Sequence, residues 1–268
     1  QSGASNAVQG DPALHQAAHV GDVSALQREL DQGADPNTAN RFGVTPLALA
    51  SRGGHVAAVQ LLLESDADPN QVSPTGETPL MVAARTGVVG SVTSLLEYGA
   101  DPTAQESWMG QTALMWAAAE RHAGVVEPLV AGGADVDGRS YAGFTPLMFA
   151  ARLGHVETVD ALLDAGADIH ARDLDDNTSI IFAADKGLKA IIQVLLDRGA
   201  DVNDRTTAGW SALTFAAYAG HKEVVGMLVD AGADIEVKAR NGMTPLKLAR
   251  YRGRTEVVKI LEAAVGQK

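Results

Sequence analysis

Histidines and acidic clusters are the residues from which this chain of 268 residues would have to build chemistry, for it has seven histidines and no cysteine. His15 and His19 lie four apart in His15-Gln16-Ala17-Ala18-His19. That spacing puts two imidazoles on one helical face, the arrangement of a zinc-binding pair. Gln16 stands where a metalloprotease would need a glutamate, and no third ligand is evident. His55, His122, His155 and His221 share one register position, which points to a helix-start and turn-bonding role instead of catalysis. His170 is isolated. Asp173, Asp175 and Asp176 form an acidic cluster, but a calcium loop needs further spaced oxygen ligands and a closing Glu. No serine sits in a G-x-S-x-G turn, and no glycine-rich phosphate loop is present. Without cysteine there is no disulfide, thiolate metal site or thiol nucleophile. The expectation is a protein that is not an enzyme, with no catalytic or metal site, no cofactor and no small-molecule substrate.

The elements that would position any site are repeated. The series Thr45, Thr78, Thr112, Thr145, Thr178, Ser211 and Thr244 advances by 33 residues, with one step of 34 between Thr78 and Thr112. A fixed period of that size signals a repeat array. Its cleanest instance is Gly143-Phe144-Thr145-Pro146-Leu147-Met148-Phe149-Ala150-Ala151-Arg152-Leu153-Gly154-His155. The Thr hydroxyl is placed to cap a first helix. Pro46, Pro79, Pro146 and Pro245 follow it, where a missing N–H does no harm and a fixed φ favours helix entry. Leu147, Ala150 and Ala151 make an i, i+3, i+4 face, and the alanines let neighbouring helices approach. Gly154 ends the helix. A second helix, about 155–165, carries Val156, Val159, Leu162 and Leu163, and Gly166 stops it. Ala167-Asp168 opens a turn, and the chain returns as a hairpin-like finger.

The pattern G-x-T-P-L-x-x-A-A-x-x-G-H, then an apolar stretch, then G-A-D, resembles the ankyrin repeat over about residues 10–264. The resemblance implies an all-α solenoid of helix-turn-helix units joined by hairpin-like fingers. The expected repeats are about 10–39, 40–72, 73–106, 107–139, 140–172, 173–205, 206–238 and 239–264, after a lead-in at 1–9 and before a tail at 265–268. Arg28 and Glu29 mark the first as an end cap facing water. Asp66 and Asp176 stand where most repeats hold Gly. The repeat at 107–139 is irregular: an extra residue near Glu106, Arg121 in place of the helix-ending Gly, and Pro128 inside the second helix, where it should remove a hydrogen bond and bend the helix.

The net charge is −12, and seven of the acids are the turn Asp of successive repeats. That balance argues against nucleic acid as the main ligand. No apolar run reaches the roughly 18 residues of a membrane span. A start at Gln1 instead of Met, without a signal peptide, is expected of a bacterial exported, periplasmic protein cut after its signal, with a trimmed cytoplasmic protein as the alternative. The basic residues at 238–259 read as a solvating cap face, with a docking patch for an acidic partner surface as the alternative.

Aromatics carry the functional expectation. Positions four, seven and eight after the capping Thr share one side of the first helix. In ankyrin proteins, that side and the finger tips form the usual concave binding surface. Position four supplies Trp116, Phe149, Phe182 and Phe215, and position seven adds Arg152, Asp185, Tyr218 and Tyr251. The fingers add Phe42, Trp108, Met109, Tyr141, Phe144, Leu174, Trp210 and Met243. These residues are the expected site for another protein, recognised by a scaffold-type binding module. The alternative is a constitutive structural subunit of a larger assembly. Trp108, Phe144 and Trp210 are expected to be removable with folding nearly intact.

Overall fold

Helices of seven to nine residues are too short to be stable alone in water, so their stability must come from packing. The computed structural model describes residues 12–266. The expected lead-in and the last two residues of the expected tail lie outside them. Among the described residues the chain is all-α, without a strand, and it divides into two compact units between Tyr141 and Ala142.

The first unit holds α1 (Pro12–Val20), α2 (Val23–Asp31), α3 (Pro46–Gly53), α4 (Val56–Glu64), α5 (Pro79–Thr86), α6 (Val89–Glu97), α7 (Ala113–Ala119) and α8 (Val126–Ala131). The second holds α9 (Pro146–Leu153), α10 (Val156–Asp164), α11 (Ser179–Lys186), α12 (Lys189–Asp197), α13 (Ala212–Ala219), α14 (Lys222–Asp230), α15 (Pro245–Tyr251) and α16 (Thr255–Gly266). Within each unit, odd-numbered helices pack on odd-numbered ones and even on even, giving two layers. The odd layer is glued by Leu and paired alanines: Leu114, Ala117 and Ala118 in α7, and Leu147, Ala150 and Ala151 in α9, are fully buried. The even layer uses i, i+3 pairs such as Val92–Leu95 and Val159–Leu162, also fully buried.

Hydrogen bonds across pairs add direction to this apolar packing. The His55 ring does not cap its helix; its Nε2 donates to the carbonyl of His19, 3.1 Å away in the preceding pair. His122 reaches Arg85 O (3.0 Å) and His221 reaches Asp185 O (2.9 Å) in the same way. The expected turn-bonding role is therefore a bond backward to the previous pair. Gly87 makes room for it, since a Cβ there would lie 2.2 Å from His122 Nδ1. In the last pair Arg254 Nε substitutes, donating to Tyr218 O at 3.2 Å. Asn37, Asn70 and Asn203 act as second clips, each donating to a carbonyl and accepting from an amide of the following turn.

The irregular positions have local consequences. Asp66, Arg121 and Asp176 are the non-glycine residues with positive φ among those described, at 63°, 67° and 61°. All three stand in glycine positions of the repeat. Such a backbone costs an L residue roughly 1–2 kcal/mol. Pro128 does not bend a continuous helix as expected. The segment opens as a 3₁₀ turn, Ala123–Val125, and α8 begins only at Val126. Pro128 thus occupies the first turn of α8, where its N–H would have no intrahelical partner.

Thr45, Thr78, Thr112, Thr145, Ser211 and Thr244 cap their helices through the side-chain oxygen. Thr178 does not, and its buried Oγ1 has no hydrogen-bond partner. Replacing Thr45 by Val should therefore lower stability by about 1 kcal/mol. Thr178→Val, which removes an unsatisfied hydroxyl, should leave stability unchanged or raise it. Urea unfolding of the two variants checks this; equal losses would mean that Thr178 has a partner in solution.

Candidate functional site

The fingers present the largest side chains, and short polar anchors hold their tips. Asn40 Oδ1 accepts from Phe42 N (2.9 Å) and Val44 N (3.1 Å). Ser73 Oγ accepts from Thr75 and Glu77 amides, and Asp173 Oδ1 from those of Asp175 and Asn177. The acidic cluster at 173–176 thus contains a turn anchor. Neighbouring tips are tied to each other: Ser107 N donates to Thr75 O, Tyr141 N to Met109 O, Thr207 N to Asp175 O and Arg240 N to Ala208 O.

The tip with the extra residue has a longer anchor. Glu106 is 4% exposed, and its carboxylate accepts from the amides of Trp108, Met109 and Gln111. Elsewhere an Asn, Ser or Asp spans to the fourth residue on; here Glu, one carbon longer than Asp, spans to the fifth. Burial raises the Glu106 pKa, but the backbone N–H donors outweigh it and leave the carboxyl below its ordinary 4.5.

In the first unit, Trp108, Met109 and Trp116 share a pocket of about 270 Å³ with Thr75, Glu77, Glu106 and Gln111. Trp108 is 85% exposed, whereas Trp116 is half-buried with an unpartnered Nε1. Arg85 lies over the Trp116 ring at 5.3 Å and pairs with Glu77 at 3.4 Å. The Tyr141 ring is exposed and covers Gly110, where a Cβ would come within 2.5 Å of it. Phe42 is an exposed tip residue under Arg41.

In the second unit, Phe144 stacks on Phe149 (5.4 Å) and Phe182 (5.0 Å), with Arg152 over it. Trp210 contacts Phe215 (4.9 Å) and Tyr218 (5.5 Å), and Arg252 covers Tyr218 at 4.5 Å. Leu174 and Tyr251 are exposed. Met243 is half-buried, and Asp185 pairs with Lys186 at 3.0 Å. Phe144 and Trp210 therefore differ from the expectation. Each belongs to a ring cluster, so truncating either removes packing as well as surface. Trp108 alone of the three stands clear. The arginines over rings went unrecognised in the sequence; Arg85 and Arg152 sit at position seven, a signal that they share a side with position four.

His15 is buried, and its Nε2 donates to Val44 O at 3.2 Å, whereas His19 is exposed. The two rings are not offered together on an open face. No helix among the described residues is long and apolar enough to cross a membrane.

A family model described as Ankyrin repeats (3 copies) matches residues 14–106, 104–173 and 174–267. Comparison with curated proteins gave no match.

Two outcomes follow from this geometry. Phe144→Ala should lower stability by about 2 kcal/mol through lost ring packing, while Trp108→Ala should stay within about 0.5 kcal/mol of the parent. Thermal melts decide, and equal shifts would count against the difference in packing. Because the folded Glu106 pKa is lowered, its contribution is full well above 4.5 and is lost as the pH falls through the folded value. Glu106→Gln should thus be less stable than the parent at pH 7, with the gap closing towards pH 3. Melting at both pH values measures it.

Proposed function

The chain belongs to the ankyrin-repeat family, whose members are generally protein–protein interaction modules, and from that premise we propose that it is a non-catalytic module that binds a partner protein through its finger tips and the adjoining side of its first helices. One observation supports this most directly. Among the described residues, the large apolar side chains at least 60% exposed are Phe42, Trp108, Tyr141, Leu174 and Tyr251. Four are on finger tips and Tyr251 ends a first helix; none is on a second helix. The most exposed apolar groups, concentrated at the finger tips, mark an interaction surface better than evenly scattered ones do. Aromatic rings bring large contact area at small entropic cost, which makes them interface hot spots.

The half-buried rings would offer further contact area within each unit: Trp116, with Met109, in the first, and Phe144, Phe149, Phe182, Trp210, Phe215 and Tyr218, with Met243, Arg152 and Asp185, in the second. Opposite charges at Arg152 and Asp185 would set register more than affinity.

The test is comparative capture from the source organism with the parent chain, Trp108→Ala, Tyr141→Ala and Leu174→Ala, each first shown to melt like the parent. A protein retained by the parent should bind each tip variant more weakly, by on the order of 2 kcal/mol at a hot spot. Retention unchanged in all three would place the partner elsewhere.

A further inference from the structure

Rings and guanidinium groups are paired repeatedly on the tips and first helices. Arg41 lies 4.6 Å over Phe42, Arg85 5.3 Å over Trp116, Arg152 5.7 Å over Phe144 and Arg252 4.5 Å over Tyr218. Trp108 departs from this. Its ring is 85% exposed, and no arginine or lysine of the described residues lies over it. It borders the pocket of about 270 Å³ that Trp116 also lines, and the charged side chains of that lining are both carboxylates, Glu77 and Glu106. Glu106 is committed to its own tip, but Glu77 bonds Arg85 through one oxygen only, at 3.4 Å. The half-buried Trp116 ring lines the same pocket.

We propose that this pocket takes an arginine side chain from an extended basic segment of a partner protein. The guanidinium stacks on Trp108 and pairs with Glu77, and the segment lies against the accessible part of the Trp116 ring. Each part answers a need already present in the structure: an uncovered ring and a carboxylate with one oxygen to spare. Guanidinium fits better than ammonium because it is planar, stacks on indole and matches a carboxylate with a fork of donors. The chain's net charge of −12 draws a basic segment towards it. This inference rests on the reading of the finger tips as the partner-binding surface.

The chain has three tryptophans, so indole ¹⁵N–¹H NMR on the full chain isolates the site. Trp210, in the other unit, is an internal reference. The probes are two acetylated and amidated pentapeptides, four alanines around a central arginine or around citrulline, which keeps the shape without the charge. The arginine peptide should move the Trp108 and Trp116 signals and should leave Trp210 in place. The citrulline peptide should bind about tenfold more weakly, and Trp108→Ala and Glu77→Gln should each weaken the arginine peptide by about tenfold. Equal affinity for both peptides, or shifts of similar size at Trp210, would overturn the proposal. If the arginine peptide does not bind while Trp108→Ala still loses the captured partner, the arginine pocket falls and the partner-binding reading stands. If Trp108→Ala changes neither measurement, the arginine pocket falls, and the partner-binding reading falls with it only if Tyr141→Ala and Leu174→Ala also leave capture unchanged.

Discussion

A helix pair in this chain has an apolar face on each of two sides and nowhere to bury them except against the pairs before and after it. Eight or nine residues of helix bury too little by themselves to offset the entropy of ordering them. The whole architecture follows from that dependence. It requires alanines at Ala117–Ala118 and Ala150–Ala151, because larger side chains would hold neighbouring helices apart. It also requires something to fix register, since apolar burial has no direction. The imidazole bonds of His55, His122 and His221 to the preceding pair, and the amide clips of Asn37, Asn70 and Asn203, supply that direction.

The same dependence frees the outer surface. The interior faces of each layer do the folding, so tips and the exposed side of the first helices are open to side chains chosen for other reasons. The second unit uses part of that freedom for ring clusters around Phe144 and Trp210, which brace the surface they form. The first unit leaves Trp108 and Tyr141 outside any such cluster. Local rigidity and local availability are thus distributed unequally among side chains that look alike in the sequence.

That inequality explains what could be read beforehand. The helices, caps and turns were legible because each is set by residues within one period: Thr before Pro, paired alanines, a glycine in the left-handed region. The departures at Asp66, Arg121 and Asp176 were legible for the same reason, and each does adopt positive φ. What escaped depends on the next period. The His55 ring bonds to a carbonyl 36 residues away, and Phe144 lies against Phe182 in the following pair, so neither fact is present in a single repeat. Thr178 has the capping residue but not the cap, because sequence specifies a hydroxyl and not the angle at which it is held. Pro128 is an interior proline only if its helix starts where the counterparts do; the 3₁₀ turn before it moves that start.

The Glu106 anchor changes what an inserted residue means in such a chain. Extra length at a tip ordinarily leaves amides of the turn without acceptors; one more methylene in the anchor reaches them, and α7 still begins on a capped Thr112. An insertion and a substitution of aspartate by glutamate are then one compensated event. A lineage carrying both can enlarge a single tip, as the Trp108-Met109 pair does here, and every helix in the array keeps its place. Loop length and anchor length become a matched pair of evolutionary variables, so the recognition surface can diverge finger by finger while the stack beneath it is inherited unaltered.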